Sequence, residues 1–341
     1  MRRRDLLRWI PLSPLLSRLN WVASATGIDG NVVDIYRKAL AALPDRSSEE
    51  SALLREVATA PLDLASASLL RRGGLAINAC VRAGPLDTCD WGDTWTGAGF
   101  KTITQWFDVR SVAGLVLLRA RFAFDAGMDR QGFEDVVSAL RMSRHFGRGG
   151  VMISQLIAFA VEHAAIEVAA SGLTVRETVA SRRFAGEIAE LPTPISLAET
   201  VAFERAYFLG YVRPDEPETY NEAVTARLLK FYERLELALK REDKTDLEAI
   251  RNDKTLDPQL EGSFVTTLDD FLRASMYIRV KRALLLAALA EISDEPDGSD
   301  SVADPSDGLP FDLRRWTTGF NLTSRFALEG KPQVSLTIGS G

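Results

Sequence analysis

VMISQLIAFAVEHAAIEVAASG, residues 151–172, is the stretch on which the fold turns. It contains no proline, and glycine appears only at its end. Apolar residues fill nearly every position, so no polar stripe is left for solvent. A helix that is apolar all round belongs in the middle of a bundle. The pattern predicts a central helix over about 151–171, stopped by Gly172. Its polar interruptions are Gln155, Glu162, His163 and Glu167. Gln155 and Glu162 are seven apart and share a face. His163 and Glu167 are four apart and within reach of each other.

Working outward, the same 3.6-residue apolar period recurs on both sides. Helices are expected over about 102–126, ending at Gly127, and over 130–146, ending at Gly147. The repeated glycines read as left-handed C-caps. Earlier in the chain, a helix over 32–43 carries Val32, Ile35, Tyr36, Ala39, Leu40 and Leu43. Ser47 and Glu50 form a capping-box pattern for the next one. A short helix follows Pro61 and stops at Gly73-Gly74. Later, two helices flank Pro192-Thr193-Pro194. Another covers about 219–241, and a long one about 263–292. Strands do not alternate with helices, and no glycine-rich phosphate loop follows a strand. The fold class is therefore mostly α, stacked antiparallel helical hairpins spanning 26–292.

The C-terminal part reads differently. Residues 293–308 are acidic and rich in turn formers, which predicts a linker. Residues 309–341 then hold three alternating segments, around 311–316, 320–326 and 334–338. They predict a small β-meander, too small to stand alone and so packed on the helices.

The chain has 341 residues and a formal charge of −6. Without a basic stripe it is not expected to bind nucleic acid, because phosphate neutralisation needs clustered Lys and Arg. Two histidines and two cysteines without CxxC spacing leave no zinc-site pattern, and no cofactor is expected.

The N-terminus begins Met1-Arg2-Arg3-Arg4-Asp5-Leu6-Leu7-Arg8, passes through an apolar stretch and reaches Ala23-Ser24-Ala25. This order resembles a twin-arginine export signal over residues 1–25. The alternative is an amphipathic N-terminal helix in a cytoplasmic protein. Export implies a periplasmic or envelope location, with no membrane-spanning segment after processing. In that oxidising setting Cys80 and Cys89 are expected to form a short-loop disulfide. In the cytosol they would be free thiols. Cys89 opens an aromatic loop whose Trp91 and Trp95 read either as a structural corner or as a ligand platform.

Residues 33–44 (VDIYRKALAALP) and the pair Ala123–Gly127 and Phe133–Leu140 resemble the second helix of tetratricopeptide-type repeats. The layout as a whole resembles a group of functionally uncharacterised helical exported proteins of planctomycete-type bacteria. The matching residues include Tyr36-Arg37-Lys38-Ala39-Leu40, Cys89-Asp90-Trp91-Gly92, Leu118-Arg119-Ala120-Arg121 and Arg144-His145-Phe146-Gly147. They continue with Ile153-Ser154-Gln155-Leu156 and with the run from Asp304-Pro305 to Gly308-Leu309-Pro310-Phe311. That last turn and the strands after it resemble the β-region that ends type II secretion pseudopilins. No activity comes with these likenesses.

The chemistry, if any, centres on the apolar helix. A buried Glu162 needs a partner. Arg119, Arg121, Arg141 and Arg144 are available on neighbouring helices. One reading makes Glu162 a base whose pKa burial has raised, working with Arg119 or His163 as an exported hydrolase. Another gives Glu162, His163 and Glu167 part of a metal site. The structural alternative is an Arg–Glu–Gln network. On the next helix, Glu199 and the Glu204-Arg205 pair are expected as salt-bridging residues. The preferred function is a non-enzymatic exported scaffold or adaptor that binds a protein or peptide, its oligomeric state open. A third possibility is a component of a secretion or envelope assembly.

Overall fold

The computed structural model describes residues 31–91, 99–211, 222–241, 244–251, 258–293 and 298–339. The N-terminal basic head and its proposed cleavage site lie outside them, as does Trp95.

Twelve α-helices and one three-stranded sheet occupy the described residues. The first four helices are short: α1 (Val32–Ala41), α2 (Ser48–Arg55), α3 (Leu64–Arg72) and α4 (Gly74–Ala83). Side chains start three of them. Asn31 accepts from the Val33 N–H at the head of α1. Ser47 with Glu50 closes the expected capping box on α2, and Asp63 with Ser66 closes another on α3. Each satisfies amide groups that a helix start would leave bare. α4 was not foreseen, because Gly73-Gly74 read as a stop. Gly73 instead serves as a joint. A Cβ there would lie 2.7 Å from the Leu115 side chain, which would have to shift to make room for it.

Three long helices form the centre: α5 (Gly99–Asp125), α6 (Asp129–Gly147) and α7 (Met152–Gly172). All three pack against one another. The α5–α6 turn follows the expected cap, with Gly127 at φ 71°. The Met128 N–H reaches back to the Ala123 carbonyl at 2.8 Å, which makes it a Schellman closure. The other glycines correct the expectation. Gly147 and Gly172 are helical residues without positive φ, and the left-handed residue after α6 is Gly150, at φ 87°. α7 passes the length and composition test for crossing a membrane, yet most of it is buried against other helices.

The remaining helices are α8 (Val179–Ala189), α9 (Leu197–Tyr211), α10 (Glu222–Arg241), α11 (Lys244–Arg251) and α12 (Pro258–Ile292). α11 was also not foreseen. A second hydrophobic cluster forms where α9, α10, α11 and the first half of α12 meet, around Val201, Phe231, Tyr232, Leu235, Ile250 and Phe271. Met152 at the start of α7 belongs to it too.

The expected meander is present as β1 (Asp312–Trp316), β2 (Gly319–Ala327) and β3 (Gln333–Gly339), antiparallel in the order β1-β2-β3. Phe320, Leu322, Val334, Leu336 and Ile338 are buried, and β2 and β3 lie on α12. The stretch expected as a linker is, where described, a folded strap. Residues Gly298–Ser301 form a 3₁₀ turn along α12. Asp304 is fully buried, accepts from the Ser306 amide and hydroxyl, and takes a hydrogen bond from Ser324 on β2. Acidic composition predicted solvent, but this carboxylate organises the turn and fastens it to the sheet.

Candidate functional site

α6, α7 and α12 bring charged side chains into their shared interior. Glu162 is the centre. Arg144, one helix away on α6, meets both carboxylate oxygens at 2.6 and 2.8 Å. Arg282, from α12, meets the same two oxygens at 2.8 and 2.9 Å. Burial alone would push this carboxyl up. The two guanidinium groups outweigh it and hold Glu162 down at about 2. The general-base reading is thereby corrected: a carboxylate with both oxygens occupied by Arg forks has no free lone pair aimed at a substrate and no proton to exchange near neutrality.

Arg119 does not reach Glu162. It forms a separate buried fork with Asp135, at 2.8 and 2.5 Å, and Gln131 donates to the same aspartate. Arg121 points the other way and donates to the Val57 and Ala60 carbonyls. Gln155 shares no bond with Glu162. Its amide donates to the Gly147 carbonyl at 3.0 Å and so closes the C-terminal end of α6.

The expected trio of Glu162, His163 and Glu167 is split among different partners. Glu167 pairs with Lys281 of α12. The same Lys281 ammonium donates to the Ser335 carbonyl of β3 at 2.6 Å. His163 sits beside Tyr277, with Nδ1 3.5 Å from its hydroxyl. Burial lowers the His163 pKa, against the pull of Glu167. Among the described residues no three His, Cys, Asp or Glu side chains converge as metal ligands.

The aromatic corner is structural in its described part. The Trp91 indole donates to the His145 carbonyl at 2.9 Å, and its ring packs on Phe146 at 4.7 Å. His145 Nδ1 lies 2.8 Å from the Tyr36 hydroxyl, and burial pulls the imidazole down to about 4. Cys80 and Cys89 are both free thiols in this structure. Cys80 faces the Met142 sulfur at 3.3 Å from inside α4, while Cys89 donates to the His145 carbonyl. Burial pushes both thiols up to about 12, so neither is a thiolate nucleophile.

Glu204 is not a surface pair. It is half-buried on α9 and accepts from the Met152 amide at 2.8 Å, at the head of α7, and desolvation raises its pKa. Arg205 pairs with Glu236 of α10. Glu199 caps its own helix with Ser196.

Sequence reasoning missed Arg282, Lys281 and Asp135. A signal was present for the first two: Arg279, Lys281 and Arg282 interrupt the last apolar helix. Asp135 is flanked by Phe133 and Val136 on the buried side of α6 and carried the same kind of signal. A cavity of about 160 Å³ opens at the far end of α12, lined by Val175, Glu291, Arg315, Trp316 and Phe320. No family model, curated protein or solved structure matches this chain.

Proposed function

We propose that the chain is a non-catalytic helical scaffold, exported to the cell envelope, that holds a protein or peptide partner. The observation that carries this reading is the Arg144–Glu162–Arg282 lattice. The carboxylate best placed for chemistry is spent on joining three helices, which supports a structural role over a hydrolytic one. The tetratricopeptide-like segments and the twin-arginine-like head support partner binding and export. A second reading, a subunit of a secretion or envelope assembly, draws support from the outer edge of β1, which pairs with no further strand among the described residues.

The test combines cross-linking in the native host with reconstitution. The protein is recovered from the envelope fraction, its mass is measured, and the cross-linked partner is purified and mixed with it. A scaffold gives a stoichiometric complex in which neither chain is chemically changed, and a mass lacking the first 25 residues. A partner that is cleaved or modified, with that change abolished by Glu162→Gln in a variant shown to be folded, would replace the scaffold reading with an enzyme. A full-length mass in the cytosol would end the export part.

A further inference from the structure

The cavity at the end of α12 is built by three distant stretches of chain. Val175 comes from between α7 and α8, Glu291 from the last turn of α12, and Arg315, Trp316 and Phe320 from the β1–β2 hairpin. Its volume, about 160 Å³, matches a single aromatic ring, since apolar cavities of about 150 Å³ take up benzene. The walls suit a ring as well. Phe320 is buried, and Val175 is 39% exposed. The Trp316 indole lies over Gly319, where a Cβ would come within 2.6 Å of its Nε1.

One ion pair makes the polar side. Arg315 donates from Nε and Nη2 to the same Glu291 oxygen, Oε1, at 2.8 and 2.5 Å. The other oxygen accepts from the Ser299 amide of the 3₁₀ turn at 3.3 Å. Glu291 is therefore engaged at both oxygens and largely withdrawn from water. Arg315 is the reverse. It is 65% exposed, and its Nη1 has no acceptor among the described residues. Glu291 holds the guanidinium by one edge and leaves the end-on edge, Nη1 with the second hydrogen of Nη2, free to donate. Such a fork matches a carboxylate with two parallel hydrogen bonds. Because the ion pair already orders the side chain, less freedom is lost when it binds.

We propose that this cavity binds a small carboxylate carrying one aromatic ring, the ring against Trp316, Phe320 and Val175 and the carboxylate on the free edge of Arg315. Two sources present this chemistry: a free aromatic acid, and the C-terminal residue of a polypeptide that ends in phenylalanine. Neither requires the chain to be a scaffold or an enzyme.

The experiment titrates the full chain with phenylacetate, p-cresol and phenethylamine, which share a ring and differ in charge, and reads binding by calorimetry or ligand-observed NMR. Phenylacetate should bind about tenfold or more tighter than p-cresol, as a charge-assisted hydrogen bond requires, and phenethylamine most weakly. Arg315→Gln should remove the preference for phenylacetate and leave p-cresol within about twofold, an order-of-magnitude expectation for loss of the charge alone. Val175→Trp should block all three by filling the cavity while the ion pair stays intact. Far-ultraviolet circular dichroism confirms that both variants are folded. A short peptide ending in phenylalanine separates the sources. If it binds tighter than phenylacetate and loses this on amidation of its C-terminus, the ligand is a polypeptide end; if phenylacetate binds tighter, the ligand is a free acid. Failure of both phenylacetate and the peptide to bind at millimolar concentration overturns the proposal. So does a preference for phenethylamine, since Glu291 would then set the charge of the site, and so does phenylacetate binding that both substitutions leave unchanged.

Discussion

Glu162 sits between two guanidinium groups, so the group of three carries one net positive charge inside the bundle. Arg282 relieves it, since its side chain remains 28% exposed and can hold the excess charge near water. Arg144 has no such outlet. Replacing Glu162 with Gln should therefore destabilise the protein by roughly 3–5 kcal/mol, the cost of leaving a buried charge without its partner. Denaturant unfolding of the variant against the native chain measures it. The pH dependence has a definite sign. The folded pKa is about 2, below the ordinary 4.5. Its stabilisation is thus complete above about pH 4.5 and lost as pH falls toward 2, worth roughly 3 kcal/mol over that window. The Gln variant should lack this part of the acid limb. At this scale the sequence was half legible. It marked Glu162 as a buried carboxylate in need of a partner and Arg144 as one of four arginines available to it, without choosing among them. It could not say that Arg119 would be taken by Asp135, because that choice is made by the turn of α6 relative to α5, not by spacing along either helix.

At the scale of elements, the helices were readable because periodicity and caps act locally. Those that escaped, α4 and α11, are short and begin directly after another helix or a charged break. Close packing between elements was not readable, and Phe124 shows why. Its ring lies between Gly132 of α6 and Gly172 of α7, and a Cβ on either glycine would come within 2.4 Å of it. In an open helix Gly→Ala stabilises by up to about 1 kcal/mol. Here the sign reverses. Gly132→Ala and Gly172→Ala should each destabilise by about 1–3 kcal/mol, the usual cost of overpacking. Thermal unfolding checks this, and Phe124→Leu in the same chain should recover part of the loss by vacating the space. If the alanine variants prove more stable than the native chain, the three helices are less tightly joined than described.

The described residues form two cores, a large one around α5–α7 and a smaller one around α9–α11, with Met152 of α7 in the smaller and Phe159 packed against both. The division was hidden in the sequence, where the α9–α10 region read simply as more amphipathic helix. Glu204 stands at the junction, its carboxylate against the head of α7. Its pKa is raised by burial. The folded state therefore holds this proton more firmly than the unfolded one, and its share of stability falls as pH rises above about 4.5 through the folded value. The smaller core should open at lower free energy than the larger one, as cooperative units of unequal size do. Native-state hydrogen exchange should show α9 amides exchanging relatively faster at pH 7 than at pH 5, after correction for intrinsic rates. Glu204→Gln should remove that difference while leaving α6 amides unaffected. Equal opening free energies for the two cores would show that the molecule unfolds as one unit.

The Lys281 ammonium, 5% exposed, touches Glu167 on one helix and the Ser335 carbonyl on the last strand. Its reactivity is therefore a gauge of whether the sheet is seated. Amine-acylating reagents should mark the exposed Lys240 readily and leave Lys281 untouched. Any ligand, partner or substitution that lifts the strands off the helices would show itself as a new acyl group at that one position, readable in a peptide digest without knowing what did the lifting.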